Sequence, residues 1–273
     1  YEKKRRIDFF WKLKEKGNKK RVTTRAKKEK REMISFRLRI IREQNRIYSF
    51  LIKSFSRLYP SAPSVFLFHE IIENEVEVQS KFAISRSSFE KFLLRQLTSG
   101  YSPLTFETLS ETILAKRKND RRFMVTFDDI YESVYSRAYP FLKEHDIPFI
   151  IFVSTELIDK PNYITINQLL ELSADPLCTV GSHGCRHVMF RYLDEQEVEM
   201  EMKNSKSYLE NLTGKKVECF AFPYGRIVEC SIRNIRQLSH SDYRFGFSAI
   251  KGNLKMQWFC GRFFLPRINV EEK

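Results

Sequence analysis

Cysteine, glycine and proline are all scarce in this chain of 273 residues, and long apolar runs are absent. The five cysteines (Cys178, Cys185, Cys219, Cys230 and Cys260) are odd in number and follow no metal-finger or thioredoxin spacing. A disulfide scaffold is therefore excluded, and buried free thiols are the expected state. Nine Gly and nine Pro are too few for collagen-like or proline-rich repeats. The longest apolar runs are about eight residues, against the roughly 20 that a membrane-spanning helix needs. What the chain does have is 24 Phe and 12 Tyr within a 42% hydrophobic composition. That excludes disorder of the whole and suffices for one substantial core in one or two domains.

The net charge of +14 is not spread evenly. Residues 1–60 hold 21 Lys and Arg against 6 acids, whereas the remaining 27 bases and 28 acids nearly cancel. The charge thus belongs to an arm, and the body does not work through a basic surface. Within the arm, Ile34, Leu38, Ile41, Asn45, Tyr48, Ile52, Phe55 and Tyr59 fall on one face of a helix, which Pro60 and Pro63 stop. The expected uses of this helix are packing on its own domain, self-association, or contact with an anionic membrane surface. Nucleic acid is not expected, because no aromatic-rich binding motif accompanies the charge. No apolar signal segment is visible in a chain that starts at Tyr1, and a cell-envelope or membrane-associated location is the expectation.

After Pro63 the sequence alternates short apolar runs with helical patterns. The runs are 65–68, 123–127, 149–153, 179–182, 219–222, 245–250 and 263–270. Between them, 88–97, 131–144 and 165–172 read as helices, and Asp194 with Glu197 forms a capping box ahead of a helix that Gly214 ends. Such alternation means a parallel sheet with helices outside it, as a barrel or an open sheet.

The polar residues cluster at one point of that rhythm. His69, the pair Asp128-Asp129, the pair His183 and His187, and Pro223-Tyr224 each follow directly on a strand run. In α/β barrels the C-terminal strand ends form one face, which carries the active site. His183 and His187, with three residues between them, suit a metal clamp, but Gly184 stands where a metalloprotease helix would carry its base. Asp128-Asp129 can supply both a ligand and a base, if the chain turns at the strand end so that both approach one ion. The simpler reading of Asp129 is a cap for the helix near Tyr131.

Thr126-Phe127-Asp128-Asp129, Ser182-His183-Gly184-Cys185-Arg186-His187 and Phe220-Ala221-Phe222-Pro223-Tyr224-Gly225 resemble the first three motifs of the NodB-like polysaccharide deacetylases. The resemblance spans roughly residues 64–270 and implies a distorted (β/α) barrel of about seven strands, preceded here by the basic arm (residues 1–60). By motif position, Asp128 resembles the general base. Asp129, His183 and His187 resemble the ligands of a zinc or other divalent first-row ion. Tyr224 resembles the residue whose backbone N–H stabilises the oxyanion. The implied reaction is hydrolysis of an N-acetyl, less often O-acetyl, group on a glycan, with the ion polarising the acetyl carbonyl and water.

Three departures bear on the site. Ile130 replaces the glycine usual after Asp-Asp, so this loop is expected to run differently. The third motif often carries an Arg that steadies the base; Ala221 stands near that place, and Arg262 or Arg267 is the expected substitute, with Pro223 beside them on the substrate side. Phe68-His69-Glu70-Ile71 and Leu265-Pro266-Arg267-Ile268 bring the chain closest to the poly-N-acetylglucosamine-type deacetylases. Finally, the late Leu-His that supplies a general acid in many members is missing; His69 is the expected acid, ahead of His240. Two other readings stay open on the same fold: a hydrolase of another amide, and a catalytically weak glycan-binding or membrane-assembly protein. The phenylalanines in the strands read as core, and Trp258 as either a sugar wall or packing.

Overall fold

A computed structural model of the protein describes residues 61–73, 82–114, 120–257 and 261–271. The helical face of the arm, the division of the chain at residue 60, Trp258 and Cys260 lie outside the described residues.

The strands, in chain order, are β1 (Ser64–Phe68), β2 (Glu70–Ile72), β3 (Ala83–Ser85), β4 (Ser102–Pro103), β5 (Arg122–Phe127), β6 (Phe149–Val153), β7 (Cys178–Ser182), β8 (Cys219–Ala221), β9 (Phe245–Lys251) and β10 (Leu265–Asn269). Seven of them form a closed ring of parallel pairs, β1-β5-β6-β7-β8-β9-β10 and back to β1. These are the seven runs that the sequence marks. Short β4 pairs on the outside of β5, and β2 with β3 makes a small separate parallel sheet. Neither is visible in the sequence, since two or three residues carry no periodicity.

The strands read as continuous apolar runs because both of their faces are covered. Alternate residues belong to two cores. Phe66, Phe68, Phe123, Val125, Phe127, Phe149, Ile151 and Val153 point outward and pack under helix residues such as Phe89, Leu142, Leu169 and Val198. Val65, Met124, Ile150, Phe152, Phe247 and Leu265 fill the interior. The same period places Arg267, two residues after Leu265, inside the barrel. Gly181 also points inward, where a Cβ would lie 2.6 Å from the Phe152 ring.

The helices are α1 (Arg86–Thr98), α2 (Leu109–Leu114), α3 (Tyr139–Glu144), α4 (Ile166–Ala174), α5 (Glu195–Thr213) and α6 (Ile232–Ser239). Thr165 with Gln168 and Asp194 with Glu197 form complete capping boxes on α4 and α5, and Gly214 ends α5 at φ 67°. The stretch 131–144 is not one regular helix, because a π-helical turn at Val134–Ala138 precedes α3. Cys178, Cys219 and Cys230 are buried and, like Cys185, free. No helix among the described residues is long and apolar enough to cross a membrane.

Candidate active site

The strand ends deliver their side chains to one face. The β1–β5 register pairs Phe68 with Phe127, and the Asp128 N–H continues it by donating to the Phe68 carbonyl at 3.0 Å. Just beyond, the chain turns sharply, with Asp129 at φ 64° and Ile130 at φ 50°. This turn sends the two carboxylates to different partners.

Asp129 faces the histidines. Its Oδ1 lies 3.3 Å from His183 Nε2 and 2.9 Å from His187 Nε2. His183 Nδ1 sits 2.7 Å from the Ala221 carbonyl, which can only accept, so Nδ1 carries the proton and Nε2 presents a lone pair. Asp129 Oδ1 is buried without a hydrogen bond. Three possible ligand atoms therefore converge on one point, an arrangement suited to a cation or a shared proton. Donors each about 2.1 Å from one ion in tetrahedral geometry stand about 3.4 Å apart, so the observed spacing fits a divalent ion. Burial pushes the Asp129 carboxyl up, but His183 and His187 outweigh it and hold it well below the usual carboxylate range. Asp129 is thus not the cap of the following helix.

Asp128 is fully matched instead. Arg267 grips it with two 2.7 Å bonds, one to each oxygen, and uses Nε on the Ser248 carbonyl at 2.7 Å. The guanidinium lies over the Phe152 ring at 5.4 Å. Burial raises the Asp128 carboxyl, but the charges of Arg267 and His183 bring it below its ordinary value, so it stays ionised. Of the two expected substitutes for the motif arginine, the one on Asp128 is Arg267. It is fully buried, which removes it from the substrate side. Arg262 is exposed, with its guanidinium 4.7 Å over the Phe263 ring.

His69 sits beside these groups. Its Nδ1 is buried without a partner, its ring packs on Phe82 at 4.9 Å, and burial lowers its pKa against the pull of Asp128 and Asp129. His240 caps the end of α6 and lines a groove between α5 and α6 with Met202 and Tyr243, on the outside of the barrel. Tyr224 is 46% exposed, at φ 62°, and its ring lies 4.8 Å from that of His187. Pro223 is buried, so it offers the substrate no surface.

The tight turn that glycine suits is made by Ile130 itself, held at 1% exposure in the outer core while its carbonyl accepts from Ile164 N–H at 3.2 Å. A β-branched residue at positive φ is strained, and Asp129, His187 and Tyr224 share that sign of φ around one site.

Two further features escape sequence reasoning. Arg191 donates to the Ile227 and Val228 carbonyls and, by its N–H, to that of Glu229, tying the loop after His187 to the loop after Tyr224. Tyr131 and Tyr163 stack at 5.1 Å and 21°, and burial, then Tyr163 and Asp129, push the Tyr131 hydroxyl up. The position of Tyr131, two residues after Asp129, is the only signal of it in the sequence.

A polysaccharide deacetylase family model matches residues 115–241, a range that includes Asp128, Asp129, His183, His187 and Tyr224 and stops short of Arg267. The Bacillus subtilis protein described as putative polysaccharide deacetylase YxkH is 23% identical over 77% of this chain and 72% of its own length. Poly-beta-1,6-N-acetyl-D-glucosamine N-deacetylase of Staphylococcus epidermidis is 26% identical over 52% of this chain and 54% of its own. The fold is that of the Streptococcus pyogenes deacetylase PplD, solved in complex with acetate, with a TM-score of 0.66, 22% identity, and coverage of 76% of this chain and 92% of PplD. The family model, the relatives and the barrel point the same way: over residues 115–241 the chain matches the polysaccharide deacetylases, a family of hydrolases.

Proposed function

We propose that this chain removes N-acetyl groups from an N-acetylglucosamine polymer at the cell envelope, using Asp128 as general base beside a divalent ion held by Asp129, His183 and His187. The observation that carries the reading is the contrast of adjacent carboxylates. One faces two imidazole nitrogens at ligand spacing, and the other is buried, ionised and fixed by Arg267. When bound, the ion supplies Lewis acidity that polarises the acetyl carbonyl and acidifies water.

The chain's own residues do the rest. Asp128 takes a proton from the attacking water; Arg267 keeps its two oxygens from rotating and keeps it ionised. Ala221, through His183 Nδ1, fixes the tautomer that leaves Nε2 free to ligate. The backbone N–H of Tyr224 stabilises the charge that develops on the acetyl oxygen. His69, beside both carboxylates, relays to the leaving amine the proton that Asp128 took from water. The choice of an N-acetylglucosamine polymer rests on the Staphylococcus epidermidis relative, and the basic charge of residues 1–60 is read as the part that meets an anionic surface.

Acetate release from β-1,6-linked N-acetylglucosamine oligomers, before and after chelation and after addition of zinc or cobalt, tests this reading. Release that stops with chelator and returns with metal is expected. No acetate from the metal-loaded chain would overturn the substrate assignment.

A further inference from the structure

The loop carrying both histidines has no regular backbone pairing, so its polar groups must find partners one at a time. Most are found close by. His183 N–H donates to the Val153 carbonyl at 2.9 Å, and Ser154 Oγ donates to the His183 carbonyl at 3.2 Å. Gly184 N–H donates to Ser182 Oγ at 3.2 Å. The Gly184 and Cys185 carbonyls accept from Thr155 and Glu156 N–H at 3.1 and 3.0 Å.

The two N–H groups directly before His187 are satisfied differently. Cys185 and Arg186 both donate to Oε2 of Glu201, at 2.6 and 3.2 Å, and Arg186 Nε donates to Oε1 at 2.5 Å. Glu201 is 3% exposed and lies on the core face of α5 with Val198, Met202, Ser205 and Leu209. Burying a carboxylate there is unfavourable unless donors match it, and here the donors are backbone groups leading to His187. Gly184, at φ 78°, completes the fit, since a Cβ there would lie 3.0 Å from Glu201 Oε2. His183 has its own anchor on the Ala221 carbonyl. Among the described residues, His187 has ring contacts with His183 and Tyr224 but no comparable hydrogen bond.

We infer that Glu201 is a positioning residue for the metal site: its carboxylate fixes the Cys185–Arg186 turn and thereby aims His187 Nε2 at Asp129 Oδ1. The inference rests on the reading of Asp129, His183 and His187 as ligands, and it adds a residue that touches neither ion nor substrate.

Glu201→Met tests it, because the side chain keeps its length but offers the Cys185 and Arg186 N–H groups no acceptor. Titration of the metal-free full chain with cobalt(II), followed by its visible absorption, gives an affinity with no substrate present. A Kd about 10- to 100-fold weaker is expected, the range for loss of a group that orients a ligand. Arg186→Ala, which leaves both backbone N–H groups on Oε2, keeps the wild-type affinity. An unchanged Kd in Glu201→Met, with or without a lowered Tm, overturns the inference and leaves the metal reading intact. A wild-type chain that takes up no cobalt overturns both.

Discussion

The two halves of the site are built from neighbouring residues on opposite principles. The Asp129 half is incomplete by itself: a carboxylate and two imidazole nitrogens offer lone pairs to one point. The Asp128 half is complete: each oxygen has a guanidinium N–H at 2.7 Å. A half that lacks a positive charge is suited to take up an ion, whereas one already neutralised is suited to hold a charge steady while a proton comes and goes. The reversed turn at Asp129 and Ile130 is what separates them.

The comparison breaks most visibly at Arg267. Arg267→Met leaves a buried carboxylate unpaired, and a loss of about 3–5 kcal/mol in urea unfolding is expected. Asp128→Asn combined with Arg267→Met recovers much of that loss, because no charge is then stranded. Additive losses in the double variant would mean that the pair does not act as a unit. Arg267→Met also raises the Asp128 carboxyl, moving the acid limb of the pH–rate profile toward neutrality.

The Asp129 half is sharpened by pH. Burial lowers the His183 pKa, but Asp128, Asp129 and the Ala221 carbonyl outweigh it and raise the value above 6.5. Without metal, the folded protein holds a proton there that the unfolded chain releases. That stability is fully present below pH 6.5 and is lost as pH rises through the raised value. With metal the sign reverses, since the ligand must be deprotonated. Between about pH 6 and 8 the Tm of the chelated protein is expected to fall and that of the metal-loaded protein to rise. Parallel curves would count against His183 as a ligand.

The smallest effect concerns the turn. Ile130→Ala removes buried methyls and keeps the positive φ, at a cost of about 2–4 kcal/mol. Ile130→Gly removes more but relieves strain of about 1–2 kcal/mol, so it is expected to be the less damaging of the two. Urea midpoints in the ordinary order, Ala above Gly, would show that the turn is not strained.

The barrel is legible in the sequence because its strands, covered on both faces, read as uninterrupted apolar runs, and because each run ends on a residue capable of chemistry. The Asp129 half is legible for the same reason: Asp129, His183 and His187 lie within a residue or a short loop of a strand end. The Asp128 half is only partly so. Period two puts Arg267 inside the barrel, but no local pattern says that its guanidinium meets a carboxylate 139 residues earlier. Glu201 is hidden for a similar reason, as one acid among several in the first half of α5. The turn at Ile130 misleads, since local preference favours glycine there while the core holds the isoleucine side chain in place.

The most direct test of the account is metal content and acetate release measured side by side in Asp128→Asn and Asp129→Asn. The account predicts that Asp128→Asn keeps about one ion per chain and loses about 10²- to 10⁴-fold in kcat, whereas Asp129→Asn loses the ion itself. Loss of metal from Asp128→Asn together with its retention by Asp129→Asn would contradict the division of labour between the two carboxylates.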